Sequence, residues 1–188
     1  MRKEEYPLDS NKRHVQKDIY NHIVGKFTNL VALGGPSLDN YLRLVSIARI
    51  KNAIIYENNK HQLMLQMKNK PTIMNTTVIY KDIYQSPSGL DDTLYDLDFC
   101  YSVQSGLPHI KKFKQDSSIF TFSLRPFGFE FSLNMYVKTV QGSILHKTEL
   151  LDENHSFKMY NLYMKDQVQH MYIYKDSTPM LVIHNLNQ

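Results

Sequence analysis

Four groups of residues have the types and spacing to do chemistry. Gly34-Gly35-Pro36-Ser37 follows the apolar run Leu30 to Leu33. Two glycines at that point allow backbone conformations and close approaches that a side chain would block. Glu57 ends a second apolar run, Ala53 to Tyr56, and lies 23 residues beyond Gly34. That offset is close to the ~20 residues at which an α/β nucleotide-binding unit places the acid that receives ribose hydroxyls. Asp82 follows Thr76 to Tyr80, and Asp96 and Asp98 alternate within Leu94 to Tyr101, so the last two would share one face of a strand. Carboxylates suit hydroxyl recognition and proton abstraction.

Positioning these groups requires a set of strands with the acids and the glycine loop at one edge. The composition matches runs near residues 29–33, 53–56, 77–80, 94–100 and 119–124, all rich in aliphatic, threonine and aromatic residues. Helical spacing separates the first three. Leu38, Tyr41, Leu42, Val45 and Ala48 lie on one face of a helix ending near Ile50, with Ser37 as its N-cap, Asp39 in its first turn, and Arg49 and Lys51 near its C-terminus. Lys60 to Lys68 forms a second helix. Gly106-Leu107-Pro108 breaks the chain before a short basic helix, His109 to Lys114. Phe127 to Val140 fits both strand alternation and helical spacing and is read as helix. Residues 169–174 and 180–184 flank Lys175 to Pro179 in the pattern of an antiparallel hairpin. Ahead of all this, Val15, Ile19 and Ile23 form an amphipathic helix that covers the core edge or acts as a lid over the glycine loop. The expected fold class is α/β: a mostly parallel, Rossmann-like sheet with helices on both faces, closed by the hairpin. Residues 1–27 are an N-terminal extension and residues 28–188 are one domain.

Composition narrows the chemistry. With 188 residues and 42% hydrophobic content, the chain can fill one ordinary core. A single cysteine, Cys100, excludes an intramolecular disulfide and a cysteine-based zinc knuckle; it reads as an inert core thiol. The eight histidines show no close pair at helical ligand spacing and read as scattered surface residues. No apolar run reaches the ~20 residues of a membrane span, and no signal-peptide segment opens the chain, so a cytoplasmic protein is expected. A net charge of +4 is a mild excess. Lys111, Lys112, Lys114 and Arg125, interleaved with Phe113 and Phe127, could meet phosphates and stack bases of RNA or DNA; otherwise they are a solvated helix face.

In order along the chain, the glycine loop after strand one, the acid at the tip of strand two, the acid after strand three, Asp96-Leu97-Asp98-Phe99 in strand four and the terminal hairpin resemble the class I S-adenosylmethionine-dependent methyltransferases. The resemblance implies that Gly34, Gly35, Pro36 and Ser37 cradle the amino-acid part of the cofactor, and that Glu57 binds the ribose. It also implies that Asp82 meets the adenine amine, and that Asp96 to Phe99 border the acceptor, with Phe99 on the cofactor and Asp96 and Asp98 as candidate bases. Methyl transfer from S-adenosylmethionine, with a nucleic acid among the acceptors, is the activity so implied. A non-catalytic protein binding nucleotides or nucleic acids on the same fold is the alternative.

Overall fold

The computed structural model describes residues 16–17, 19–35, 38–70, 75–113, 115–123, 147–150, 157–164, 167–174 and 180–186. Five strands, β1 (Asn29–Ala32), β2 (Asn52–Glu57), β3 (Asn75–Tyr80), β4 (Thr93–Ser102) and β5 (Ser118–Ser123), pair in parallel in the order β3-β2-β1-β4-β5. Each matches an apolar run of the sequence to within two or three residues. Helices α1 (Asp39–Ala48) and α2 (Lys60–Asn69) connect β1 to β2 and β2 to β3, and α3 (Val103–Phe113) connects β4 to β5.

Parallel strands need crossovers, and the two faces of the sheet receive them differently. Leu30, Ala32, Ala53, Ile55 and Leu94 are buried in one cluster with Tyr41, Leu44, Val45 and Ala48 of α1 and with Ile19, Tyr20 and Ile23 of the N-terminal helical segment. On the other face, where alternation places Tyr95 and Phe99, the aromatic rings of α3 and β5 take over: Tyr95 packs on Phe113 at 4.9 Å and Phe99 stacks on Phe122 at 5.4 Å between ring centroids. The helices therefore change face between β1 and β4. At the opposite edge, the first residues of three strands are joined through their amides, Asn75 Nδ2 to Asn52 Oδ1 (3.2 Å) and Asn52 Nδ2 to Asn29 Oδ1 (2.9 Å). These bonds sit on paired positions and hold the parallel register.

Two local expectations are corrected. The N-cap of α1 is Leu38, one residue beyond the expected Ser37, in a left-handed conformation at φ 60° with no side-chain cap hydrogen bond; Ser37 itself lies outside the described residues. Leu38 is fully buried, and the burial of its side chain outweighs the missing cap. The chain also does not break at Gly106-Leu107-Pro108: α3 runs through them, beginning directly after β4. A Cβ at Gly106 would lie 2.3 Å from Phe122 Cε1, so the glycine serves close packing of helix on sheet. Pro108 gives up one i→i−4 bond on the exposed side of α3.

Beyond β5 the pairing becomes antiparallel. The strand β9 (Met180–Asn185) pairs with β5, and β8 (Gln167–Tyr174), β7 (Phe157–Met164) and β6 (Lys147–Leu150) follow in that order. The five strands β1 to β5 are parallel throughout, and β6 and β7 extend the antiparallel part. The turn residues 175–179 and the helix expected over 127–140 lie outside the described residues.

Candidate functional site

In an open parallel sheet the crevice beyond the carboxyl ends of the strands opens where the connections change face. Here that point lies between β1 and β4. The glycine loop leaves β1 on one side of it. Across it, Asp96 pairs with Ala32 and its carbonyl accepts the Leu33 N–H at 3.1 Å.

The two glycines do different work. A Cβ on Gly34 would lie 2.5 Å from Leu38 Cδ2 and 2.9 Å from Ile55 Cγ2, so Gly34 admits the helix against the sheet. Gly35 has φ +63° and open space where a Cβ would be. Its carbonyl accepts from Gln66 Nε2 at 2.9 Å, and the same Nε2 donates to Glu57 Oε2 at 2.9 Å. The other Glu57 oxygen accepts the Asn59 N–H at 2.8 Å. Glu57 is half-buried; with about four acceptor sites on a carboxylate, two remain for a ligand.

A second cluster continues from Asn58. Its Nδ2 donates to Asp82 Oδ2 at 3.3 Å. Asp82 Oδ1 accepts the Tyr84 N–H at 2.7 Å and meets His109 Nε2 at 3.3 Å. Burial raises the Asp82 pKa, but the Tyr84 N–H, His109 and Asn58 outweigh it and hold the carboxyl below its ordinary value. The His109 ring is tilted on Phe99 at 4.8 Å and meets Tyr84 edge-on at 5.7 Å. Loop, β2 tip, β3 tip and α3 are thereby tied into one polar rim at the carboxyl edge of the sheet.

Asp96 is buried and Asp98 half-buried on β4. They share the face of Leu94 and Ala32, as alternation requires. Beyond Asp98 the β4–β5 register shifts before Ser102 pairs with Ser123. Phe99 is buried on the opposite face, between His109 and Phe122; it forms part of the wall beneath the rim.

Of the basic residues, Lys111 and Lys112 occupy the last turn of α3. Lys112 Nζ donates to the carbonyls of Tyr84 and Ser86 and lies 5.0 Å from the centre of the Tyr84 ring. It pins the loop that follows Asp82, a structural use the sequence did not disclose. With Tyr84, Ser88, Pro108 and Lys111 it lines a shallow depression of about 670 Å³. That loop is held further by Tyr95 Oη donating to Pro87 O at 2.9 Å and by the Gly89 N–H on Asp116 Oδ1 at 2.7 Å. Burial, then the nearby Asp116 charge, push the Tyr95 phenol up to about 12. Pro36, Ser37, Lys114 and Arg125 lie outside the described residues.

Sequence reasoning missed Gln66, Asn58 and His109. Gln66 carried one signal: it follows Leu63 by three residues, a polar side chain at a core-facing position of α2. His109, read as a surface histidine, is only 12% exposed in its side chain. No group of three or more potential metal ligands occurs among the described residues, and no described helix is long and apolar enough to cross a membrane.

Neither a known family model nor a curated protein matches the chain by sequence. Its backbone does match solved structures. An rRNA methylase from Streptococcus thermophilus aligns with TM-score 0.54 at 11% identity, over 93% of this chain and 97% of that one. The chain has the class I S-adenosylmethionine-dependent methyltransferase fold. M. capricolum TrmK, solved with S-adenosyl-homocysteine, aligns with TM-score 0.53 at 14% identity, over 92% and 68%. A SAM-dependent O-methyltransferase from Thermotoga maritima gives 0.53 at 12%, over 93% of this chain and 66% of its own. The present chain therefore spans nearly all of one such methyltransferase fold and about two thirds of the length of two others. Identities this low establish the fold and leave chemistry to the residues at its rim.

Proposed function

We propose that the protein is an S-adenosylmethionine-dependent methyltransferase whose cofactor lies along the rim from the glycine loop to Asp82. The observation that carries this reading is Glu57, a half-exposed carboxylate at the tip of β2, joined to the glycine loop beside the point where the helices change face. The residues present fit the cofactor. Gly35 offers open backbone; Glu57 keeps acceptor positions for a ribose diol; and Asp82, a depressed-pKa carboxylate with its side chain 44% exposed, can accept from an adenine amine. Asp96 pairs with Ala32, the last residue of the strand that leads into the loop. When bound, the cofactor supplies a methyl group already activated on a sulfonium. What remains for the protein is alignment in a site shielded from water, with Asp98 or Asp96 receiving a proton from the acceptor. Phe99 supports this site from beneath by holding the His109 ring.

An RNA or DNA acceptor is the more specific form of the proposal, supported by Lys111 beside the exposed Tyr84 ring and by the rRNA methylase among the structural neighbours. Lys114 and Arg125 extend the cationic set by sequence. Calorimetric titration with S-adenosylmethionine, S-adenosylhomocysteine and NAD in parallel tests the cofactor. Binding of the first two is expected; binding of none favours the non-catalytic reading, and NAD alone a dehydrogenase-like one. Retention of RNA or DNA at low salt, lost steeply as salt rises and reduced by Lys111→Gln, Lys114→Gln and Arg125→Gln together, tests the acceptor. Lys112 is left intact in that variant because it holds the Tyr84 and Ser86 carbonyls.

A further inference from the structure

We infer that Gln66 is a positioning residue whose amide sets the glycine loop and the Glu57 carboxylate at a fixed separation, making one nucleoside-binding unit of two chain segments. This deepens the cofactor reading and rests on it. The Gln66 side chain is fully buried, and its Nε2 spends both protons on acceptors, the Gly35 carbonyl and Glu57 Oε2, each at 2.9 Å. The amide orientation is set by chemistry: turned over, Oε1 would face two acceptors and make neither bond. As placed, Oε1 has no partner among the described residues. A buried amide with an unanswered acceptor is a costly way to fasten a helix that leucine or methionine could fasten by packing. What the amide provides and an apolar side chain cannot is a pair of donors aimed at Gly35 and Glu57.

The loop needs such a tie. Gly35 is left-handed and open, and α1 begins at Leu38 with no side-chain cap. Gln66, 31 residues away, supplies the fixed point. A ligand that lays its diol on Glu57 and its chain along Gly35 then meets both at a set distance and does not have to order the loop itself.

Gln66→Met keeps volume and removes both donors; Gln66→Glu keeps shape and places a second carboxylate against Glu57. In calorimetric titrations with S-adenosylhomocysteine, Gln66→Met should bind about tenfold or more weakly, the loss expected when a hydrogen bond to a charged group is removed. Gln66→Glu should bind weakly at pH 8 and recover toward wild type near pH 5.5, where the introduced carboxyl, its pKa raised by Glu57, takes up a proton and can donate again. Wild type should change little over that window. Unchanged affinity in Gln66→Met, or a deficit in Gln66→Glu that pH does not move, overturns the inference. If wild type binds neither S-adenosylmethionine nor S-adenosylhomocysteine, the cofactor reading fails and the clamp is decided without ligand. Amide hydrogen exchange at residues 33–35 should then accelerate at least about tenfold in Gln66→Met while β2 keeps its protection; equal exchange in the two proteins overturns the clamp as well.

Discussion

Substituting the two glycines of the loop should give opposite rankings, because one is required by space and the other by backbone conformation. At Gly34 a Cβ would meet Leu38 Cδ2 at 2.5 Å and Ile55 Cγ2 at 2.9 Å. Both neighbours are fully buried and neither can swing into solvent, so Gly34→Ala should cost about 1–3 kcal/mol, the usual range for overpacking. For a chain of this length each kcal/mol lowers Tm by about 2–4 °C. Gly34→Asn, larger at the same point, should be worse. At Gly35 nothing lies within 4 Å of a Cβ, but φ is +63°. Gly35→Ala should therefore cost about 1–2 kcal/mol for the left-handed backbone. Gly35→Asn should cost less than alanine there, since asparagine visits that region more readily. Urea titrations of the four variants give the rankings, with the slope monitored to show that only stability has changed. Calorimetry with S-adenosylhomocysteine adds a second contrast: the Gly35 variants project into the open face of the loop and should lose more affinity than stability. Asparagine no better than alanine at Gly35, or better than alanine at Gly34, would refute the division of labour between the two.

Glu57→Ala should weaken S-adenosylhomocysteine binding by about 1.5–3 kcal/mol, as for hydrogen bonds to a charged group, with the chain still folded by circular dichroism; unchanged affinity removes Glu57 from the site. Tyr41 Oη and Thr76 Oγ1 form a buried 2.6 Å hydrogen bond between α1 and β3, so Tyr41→Phe should lower urea stability by about 1–3 kcal/mol through the stranded threonine, and a neutral result would show that water replaces the partner. Burial raises the Asp116 pKa above its ordinary value, against the opposing Gly89 N–H and Lys112. The folded state then binds more protons than the unfolded one between the ordinary and the raised value, so Asp116 loses stability as pH rises through that window and carries the penalty above it. Asp116→Asn keeps an oxygen for the Gly89 N–H and removes the charge; its Tm relative to wild type should rise from pH 3 to pH 7, and a difference that falls over this range contradicts the assigned shift.

The parts of the molecule legible in the sequence are those whose determinants are local. The strands β1 to β5 and the helix α1 announce themselves because a continuous apolar run or a helical stripe of leucine, tyrosine and valine must be buried whatever it packs against; in α2 the expected apolar face is not the buried one, since Met64 and Met67 are exposed and Gln66 is buried. For the same reason the sequence places the glycine loop, Glu57 and Asp82 at or just past strand ends and the Asp96–Asp98 pair on one face within β4. Four features needed the third dimension. Gly106 and Pro108 read locally as a break, yet the close approach of α3 to the Phe122 ring makes the glycine a packing residue inside a helix. Leu38 stands at the cap position of α1 with its side chain fully buried, a tertiary gain that no capping pattern contains. Lys112 reads as one more exposed cation, and only the fold brings the Tyr84 and Ser86 carbonyls to it from 28 and 26 residues away. Gln66 and His109 are the clearest cases: a polar side chain signals little in sequence, since its partners, Gly35 and Glu57 for one and Asp82 for the other, are chosen by strand order. Apolar burial is non-directional and additive along the chain, so it can be read locally. Hydrogen bonds between distant segments are directional and pairwise, and only the assembled sheet decides who meets whom.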